Sequence, residues 1–187
     1  KTKGIIPVHL YGNPSNMEMV LKLAKKNNIK IIEDCAQAHG AKYKKKHVGT
    51  FGDLGTFSFF PGKNLGAFGD AGGIITNNKS LADKIFKLKM VGVVKNRYYW
   101  HDIIGYNYRM TDVEAALGES QLLRLDDYVS QRNQLANRYN QYLCDLPIQL
   151  PANVPKTRSA FHLYTVKMEN SVVREYVFEQ FTQENIG

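Results

Sequence analysis

The chain is poor in cysteine, with only Cys35 and Cys144 among 187 residues, far apart and without a C-x-x-C pair. That excludes a disulfide-built scaffold and a cysteine-rich zinc site, and it leads us to expect a reducing, cytoplasmic setting. No apolar run approaches the ~20 residues of a membrane span, so no membrane partner is expected. The opening Lys-Thr-Lys-Gly-Ile-Ile-Pro lacks the apolar stretch and small-residue cleavage site of a secretory signal. The five histidines have no H-x-x-x-H spacing, and no metal is expected. A phosphate loop of the form G-x-x-x-x-G-K-[ST] would need glycine at 57 and serine or threonine at 64, where Phe57 and Asn64 stand. No G-x-G-x-x-G follows the first apolar segment, and no G-x-S-x-G elbow is present. Internal repeats and low-complexity segments are also absent.

What is present suits one soluble domain: 43% hydrophobic and 22% charged residues, enough for a substantial core. Lysine and arginine exceed aspartate and glutamate by 25 to 17, a formal charge of +8. The densest cationic cluster is Lys42, Lys44, Lys45 and Lys46, beside Tyr43 and His47 and between Gly40 and Gly49. It reads as a solvated hairpin, with contact to a phosphorylated substrate as the alternative. No helix-turn-helix, RNP or zinc-finger pattern accompanies it, so nucleic acid is not expected.

Along the chain, residues 5–10 read as a short buried strand and Asn13-Pro14-Ser15 as a helix start. Met17, Val20, Leu21 and Ala24 keep the i, i+3, i+4, i+7 spacing of a helix face. A second strand runs over 29–32 and ends in Glu33-Asp34-Cys35, which makes a βαβ unit and implies a parallel sheet. Residues 55–60 and 72–76 read as further strands around a glycine-dense loop, and 80–90 as a helix. The aromatic stretch 91–110 is longer than a usual connection, which marks it as functional. Thr111-Asp112-Val113-Glu114 has capping-box spacing, and one long helix to about 146 follows, weakened at Gly118. A linker with Pro147, Pro151 and Pro155 leads to a strand over 162–168 and a helix over 174–184. The boundaries predicted are a large domain over 1–146, and a linker with the beginning of a smaller domain over 147–187. That second segment is too small for its own core, so the sequence is expected to be part of a longer protein.

Asp34 stands at the carboxyl end of a parallel strand, where open α/β sheets place their ligand crevices. Lys63 lies in the glycine loop after another such strand. A lysine in a tight, partly desolvated loop acts as a nucleophile or proton shuttle. An acid and a lysine on neighbouring strand ends point to a site without saying which one.

Four segments occur in order: Pro7-Val8-His9-Leu10-Tyr11-Gly12, residues 33–41 (EDCAQAHGA), residues 58–67 (SFFPGKNLGA) and residues 105–112 (GYNYRMTD). Together they resemble the DegT/DnrJ/EryC1/StrS family of sugar aminotransferases. Residues 159–164 (SAFHLY) resemble that family's later small-domain strand. The resemblance implies a pyridoxal-phosphate (PLP) fold of type I: an α/β large domain with a mainly parallel sheet, plus the start of a small α/β domain. It also implies that this chain is the middle of a protein about twice as long. Family members place a small-residue phosphate turn and a ring-stacking aromatic ahead of the region covered here.

By position, Lys63 would be the Schiff-base lysine and Asp34 the partner of the cofactor's pyridinium nitrogen. Ala36 would pack flat on the ring, Gln37 would lie near its O3′, and Ser58 would donate to the phosphate. Asn107 would reach the phosphate in a neighbouring subunit's site, which implies a homodimer with shared active sites. Arg109 would bind a substrate carboxylate or phosphate, or form an ion pair with Asp112. His162 would touch substrate, or serve as a satisfied core histidine. Tyr98, Tyr99 and Trp100 would flank a nucleotide or pack at an interface, and Cys35 would be a small buried residue. The implied reaction moves an amine from L-glutamate to a keto group on a nucleotide-linked sugar, for polysaccharide or antibiotic amino sugars. Amination of a cyclitol or formation of an aminobenzoate, and a silent dimerisation module, are the alternatives. A histidine at the lysine position marks the family's dehydratases, and Lys63 argues against that reading.

Overall fold

The computed structural model describes residues 1–97 and 99–186; Tyr98 therefore lies outside the described residues. Strand β1 (Gly4–Ile5) leads through a 3₁₀ turn, Leu10–Gly12, to helix α1 (Met17–Asn27). Strand β2 (Lys30–Asp34) follows, then the hairpin strands β3 (Lys42–Tyr43) and β4 (Lys46–His47). Next come β5 (Leu54–Ser58), β6 (Gly72–Ile75) and helix α2 (Lys79–Lys89). Helices α3 (Asp112–Leu122) and α4 (Leu125–Leu143) precede β7 (Ile148–Gln149), β8 (Thr157–Arg158), β9 (Lys167–Met168) and α5 (Ser171–Gln183).

The main sheet has the order β1-β2-β5-β6. Its first two pairings are parallel, and the first, β1 with β2, is joined through α1 as a βαβ unit must be. Its last pairing, β5 with β6, is antiparallel, so the edge strand departs from the parallel expectation. Ile74 and Ile75 on that edge are exposed. A three-stranded sheet, β4-β3-β8, ties the hairpin to the chain after the proline linker.

Polar caps set the helix starts. Asn16 accepts from the Met19 N–H, Asn78 from Leu81 and Asn170 from Val173. Each satisfies a backbone donor that a helix start leaves unpaired. Asn170 explains why α5 begins at 171 rather than 174. The capping box at Thr111 and Glu114 forms as expected.

Three other expectations change. The first strand stops at Ile5, because Pro7 has no N–H for a ladder. The chain still runs beside β2, with the Pro7 carbonyl accepting from the Asp34 N–H at 2.9 Å and the His9 N–H donating to the Asp34 carbonyl at 3.0 Å. The long helix after Thr111 is two helices, broken not at Gly118 but at Arg124 (φ −106°, ψ 1°), whose N–H turns to the Gln121 carbonyl. The strand over 162–168 shrinks to Lys167–Met168. Its first part is held irregular by the Arg132 guanidinium, which donates to the carbonyls of Phe161 and His162 at 3.0 and 3.3 Å. Phe161 itself is left-handed, at φ 41°.

The core gathers Met17 and Ala24 of α1, Ile31 of β2, Cys35, Tyr43 of β3, Val129 of α4, and Ala160 from beyond the linker. Cys35 is fully buried, as its small size suggested. The β3–β4 turn is Lys44-Lys45, with φ 47° and 67°. Two positive φ values are what a two-residue type I′ hairpin requires, and Asn-Gly is the favoured pair there. Left-handed backbone costs other L-residues roughly 1–2 kcal/mol each.

Candidate active site

Strands β2 and β5 are hydrogen-bonded neighbours, with Asp34 opposite Thr56. Their carboxyl ends bring Asp34 and Ser58 to the same edge, and the loop after β5 carries Lys63. Asp34 Oδ1 accepts from the Ala36 N–H at 3.0 Å, which turns the chain just past β2. Oδ2 has no donor among the described residues. Gln37 Oε1 accepts from the Tyr11 N–H at 2.7 Å, leaving the Gln37 NH₂ free to donate. Tyr11 is left-handed at φ 59°, and Gly12 follows at φ 91°. A Cβ on Gly12 would stand 3.0 Å from the Gln37 carbonyl and 2.9 Å from the Phe161 nitrogen, so glycine is required there. Ser58 Oγ accepts from the Phe60 N–H at 3.3 Å, which leaves its O–H available to a ligand.

The Lys63 loop is folded on itself. The Lys63 N–H reaches the Phe60 carbonyl at 2.9 Å, and the Ala67 N–H reaches that of Phe59 at 2.7 Å. A Cβ at Gly66 would lie 2.5 Å from the Pro61 oxygen. Gln121 of α3 grips Gly66 from both sides, accepting from its N–H at 3.2 Å and donating to its carbonyl at 2.6 Å. Lys63 is half-buried, and among the described residues no carboxylate forms a salt bridge with it.

Three residues that sequence reasoning passed over belong to this site. Gln121 is one. Asn64, buried beside Lys63, donates through Nδ2 to the Ala160 carbonyl at 2.9 Å. Its Oδ1 therefore faces His162 Nδ1 at 3.3 Å. That arrangement places a proton on Nδ1 and leaves Nε2 as a bare acceptor. Burial, then the charges of Lys63 and Arg132, keep the His162 ring below its usual pKa.

His39 is the third. It is 3% exposed, between the rings of Phe57 and Phe59 at 5.5 and 5.8 Å. Neither ring nitrogen has a hydrogen-bond partner among the described residues. The Ser58 backbone lies near enough to favour a protonated ring but not in hydrogen-bonding geometry. Burial, with the charges of His162 and Lys63, lowers its pKa to about 4. No local pattern signals Asn64 or Gln121, because their partners stand 96 and 55 residues away.

His9, Glu33 and Cys35 converge within 4.8 Å, but their donor set does not suit a metal. His9 Nδ1 accepts from the Ser15 N–H, so Nε2 carries the proton and donates to Glu33 Oε2 at 3.2 Å. Glu33 also accepts from the N–H groups of Gly49, Phe51 and Gly52 at 2.7, 2.6 and 2.7 Å. Burial alone would raise its pKa; these bonds outweigh that and hold the pKa below normal. The Cys35 thiol is raised by burial and then by the Glu33 and Asp34 charges, which keeps it protonated.

The structure does not gather every candidate. Asn107 is exposed, bridges Met90, and forms no hydrogen bond with Asp34, Gln37, Ser58 or Lys63 among the described residues. Tyr106 and Tyr108 stack beside it, with ring centroids 5.1 Å apart. Arg109 is exposed, and no ion pair joins it to Asp112 among the described residues. Trp100 and Tyr99 are surface residues. Ala36 lies half-buried beside Asp34.

Among the described residues, a carboxylate oxygen without a donor, a lysine without a counter-ion, a free hydroxyl, a free amide and a buried histidine without a partner border one loop. This donor set fits a group carrying a ring nitrogen, an aldehyde and a phosphate.

The family model described as the DegT/DnrJ/EryC1/StrS aminotransferase family matches residues 1–187. A GDP-perosamine synthase of Escherichia coli O157:H7 is 46% identical over 164 residues, covering 88% of this chain and 44% of that protein. The chain thus spans about half the length of the curated relatives it matches. A DegT DnrJ EryC1 StrS aminotransferase from Brucella abortus superposes with a TM-score of 0.92 at 34% identity, over 98% of this chain and 48% of that one. NtdA from Bacillus subtilis, solved with bound cofactor PMP, superposes with a TM-score of 0.87 at 32% identity, over 98% of this chain and 42% of its own. The chain belongs to the DegT/DnrJ/EryC1/StrS aminotransferase family.

Proposed function

We propose that the protein carrying this chain is a PLP-dependent aminotransferase that moves an amine from L-glutamate to a keto group of a nucleotide-linked sugar. The observation that carries the reading is that, among the described residues, Lys63 in the loop after β5 has no salt-bridge partner and Asp34 Oδ2, at the end of the neighbouring strand, has no donor. The similarity to a GDP-perosamine synthase supports the sugar-nucleotide substrate class. When bound, the cofactor supplies an electron-withdrawing ring that accepts negative charge from the substrate carbon.

This chain's residues do the rest. Asp34 Oδ2 would hold a proton on the ring nitrogen and so keep the ring electron-poor. The Gln37 NH₂ would donate to the ring's O3′, and the Ser58 hydroxyl would donate to the phosphate. Ala36 leaves room for a flat ring. Lys63 Nζ would hold the aldehyde end of the cofactor and would serve as the group that moves a proton at the reacting carbon. Gln121 and the Gly66 turn keep Lys63 from drifting.

Residues 1–146 would be the large domain and 147–187 the linker and start of the small one. Asn107 and Arg109, outside the Lys63 cluster of their own chain, would serve a second subunit's site in a cytoplasmic homodimer. Among the described residues, no helix is long and apolar enough to cross a membrane.

The test is an absorbance titration of the intact protein with PLP, beside Lys63→Ala. A visible band present only with Lys63, and a borohydride-fixed mass adduct on that residue, are the expected results. An unchanged band in Lys63→Ala overturns the assignment. With the band in place, conversion of a GDP-linked keto sugar with glutamate tests the substrate class.

A further inference from the structure

The Lys44-Lys45 turn and residues 156–158 face each other across a cleft of about 580 Å³. Its lining is Lys42, Lys44, Lys45, Lys156, Thr157 and Arg158: five cations, one hydroxyl and no acid. None of these belongs to the Lys63 site. The cleft walls are fixed by backbone pairing. Strand β3 pairs with β8, Lys42 opposite Arg158 and Tyr43 opposite Thr157, and the Lys44 N–H donates to the Lys156 carbonyl at 2.7 Å.

Two of the cations are neutralised from outside the lining. Lys44 pairs with Glu18 at 2.6 Å and Arg158 with Asp126 at 2.6 Å. Lys42, Lys45 and Lys156 have no carboxylate within salt-bridge distance among the described residues. Three of the lining lysines, Lys44, Lys45 and Lys156, hold left-handed backbone at φ 47°, 67° and 63°. Glycine or asparagine would adopt each of these without strain. The chain thus keeps lysine at three positions where the backbone conformation disfavours a side chain. Strain of this kind marks a site whose function needs the side chain.

We propose that this cleft binds a small molecule through a diphosphate or phosphate-ester group. The volume lies within the range of small-molecule sites. Lys42, Lys45 and Lys156, which form no salt bridge among the described residues, supply charge and N–H donors for phosphate oxygens, while the Thr157 hydroxyl donates to the Val154 carbonyl at 2.7 Å. No aromatic side chain lines the cleft to stack a base, so the phosphates rather than a nucleobase are recognised. The compact shape, without a basic stripe or stacking platform, argues against a nucleic-acid strand.

Calorimetric titration of the intact protein with inorganic diphosphate, at roughly physiological salt, tests this. Lys44→Asn/Lys45→Gly installs the preferred turn and removes two charges. Lys79→Gln/Lys84→Gln removes two charges from exposed positions on α2 as a control. We expect saturable binding to the wild type and to the control, and affinity weakened about tenfold or more in the turn variant. The turn variant should melt no lower than the wild type, because its turn is relaxed. A second variant, Lys156→Gly, should weaken binding in the same way. A nucleoside diphosphate should bind no more tightly than inorganic diphosphate through this cleft. Absence of saturable binding, unchanged affinity in both cleft variants, or equal weakening in the control overturns the proposal. Binding lost by these variants with the Lys63 absorbance band intact separates this site from the cofactor site.

Discussion

Glu33 is buried yet charged, and the reason is the number of donors aimed at it. His9 and three backbone N–H groups converge on its two oxygens. Replacing it by glutamine would point an NH₂ at some of those donors and leave them unpaired. Glu33→Gln should therefore lower stability by about 3 kcal/mol, read by chemical denaturation. Its lowered pKa makes its contribution present above the ordinary 4.5 and lost as pH falls through the folded value. His39 acts at higher pH. The folded state keeps this ring neutral down to about pH 4, whereas the unfolded chain takes a proton near 6.5. Stability is thus full above 6.5 and declines as pH drops toward 4, by about 3 kcal/mol in the cofactor-free protein. His39→Phe should flatten the melting curve between those limits; an unaltered slope would remove His39 as its source.

At the scale of elements, α3 is the support of the Lys63 loop. Its capping box fixes the helix start and Gln121 near its end grips Gly66. Gln121→Ala should speed amide exchange at Gly66 by about tenfold while leaving β2 protected. Equal protection in both proteins would show that the loop holds itself. The helices and the βαβ unit were legible in the sequence because their signals are local: apolar spacing from Met17 to Ala24, and polar caps at Thr111 and, unread, Asn78 and Asn170. Lys63, Asp34, Gln37 and Ser58 were legible as one pattern because they sit in two short segments. The break at Arg124 was not legible, since neither proline nor glycine marks it. The irregular course of residues 159–164 depends on Arg132, about thirty residues earlier, and no local pattern carries that information. Asn64 and Gln121 escaped for the same reason.

For the whole molecule, the apolar surface is the fact to explain. Ile104, Tyr108 and Phe68 are 87%, 72% and 79% exposed, and the segment 91–110 that carries two of them also carries Asn107 and Arg109. A second copy of the protein covering this segment would bury that surface and bring Asn107 to a neighbouring site. Ile104→Asp would then put a charge in the contact, and dimer affinity measured by light scattering should fall about a hundredfold. A dimer of unchanged affinity would place the contact elsewhere.

Asn64 links two parts of the chain that the proline linker separates in sequence. One amide group, next in line to Lys63, holds both the Ala160 carbonyl and the His162 ring. Any swing of the segment after the linker must therefore either drag the Lys63 loop with it or let go of Asn64. The Lys63 loop and the segment after the linker thus meet at one amide, so a displacement of either is felt by the other at Asn64.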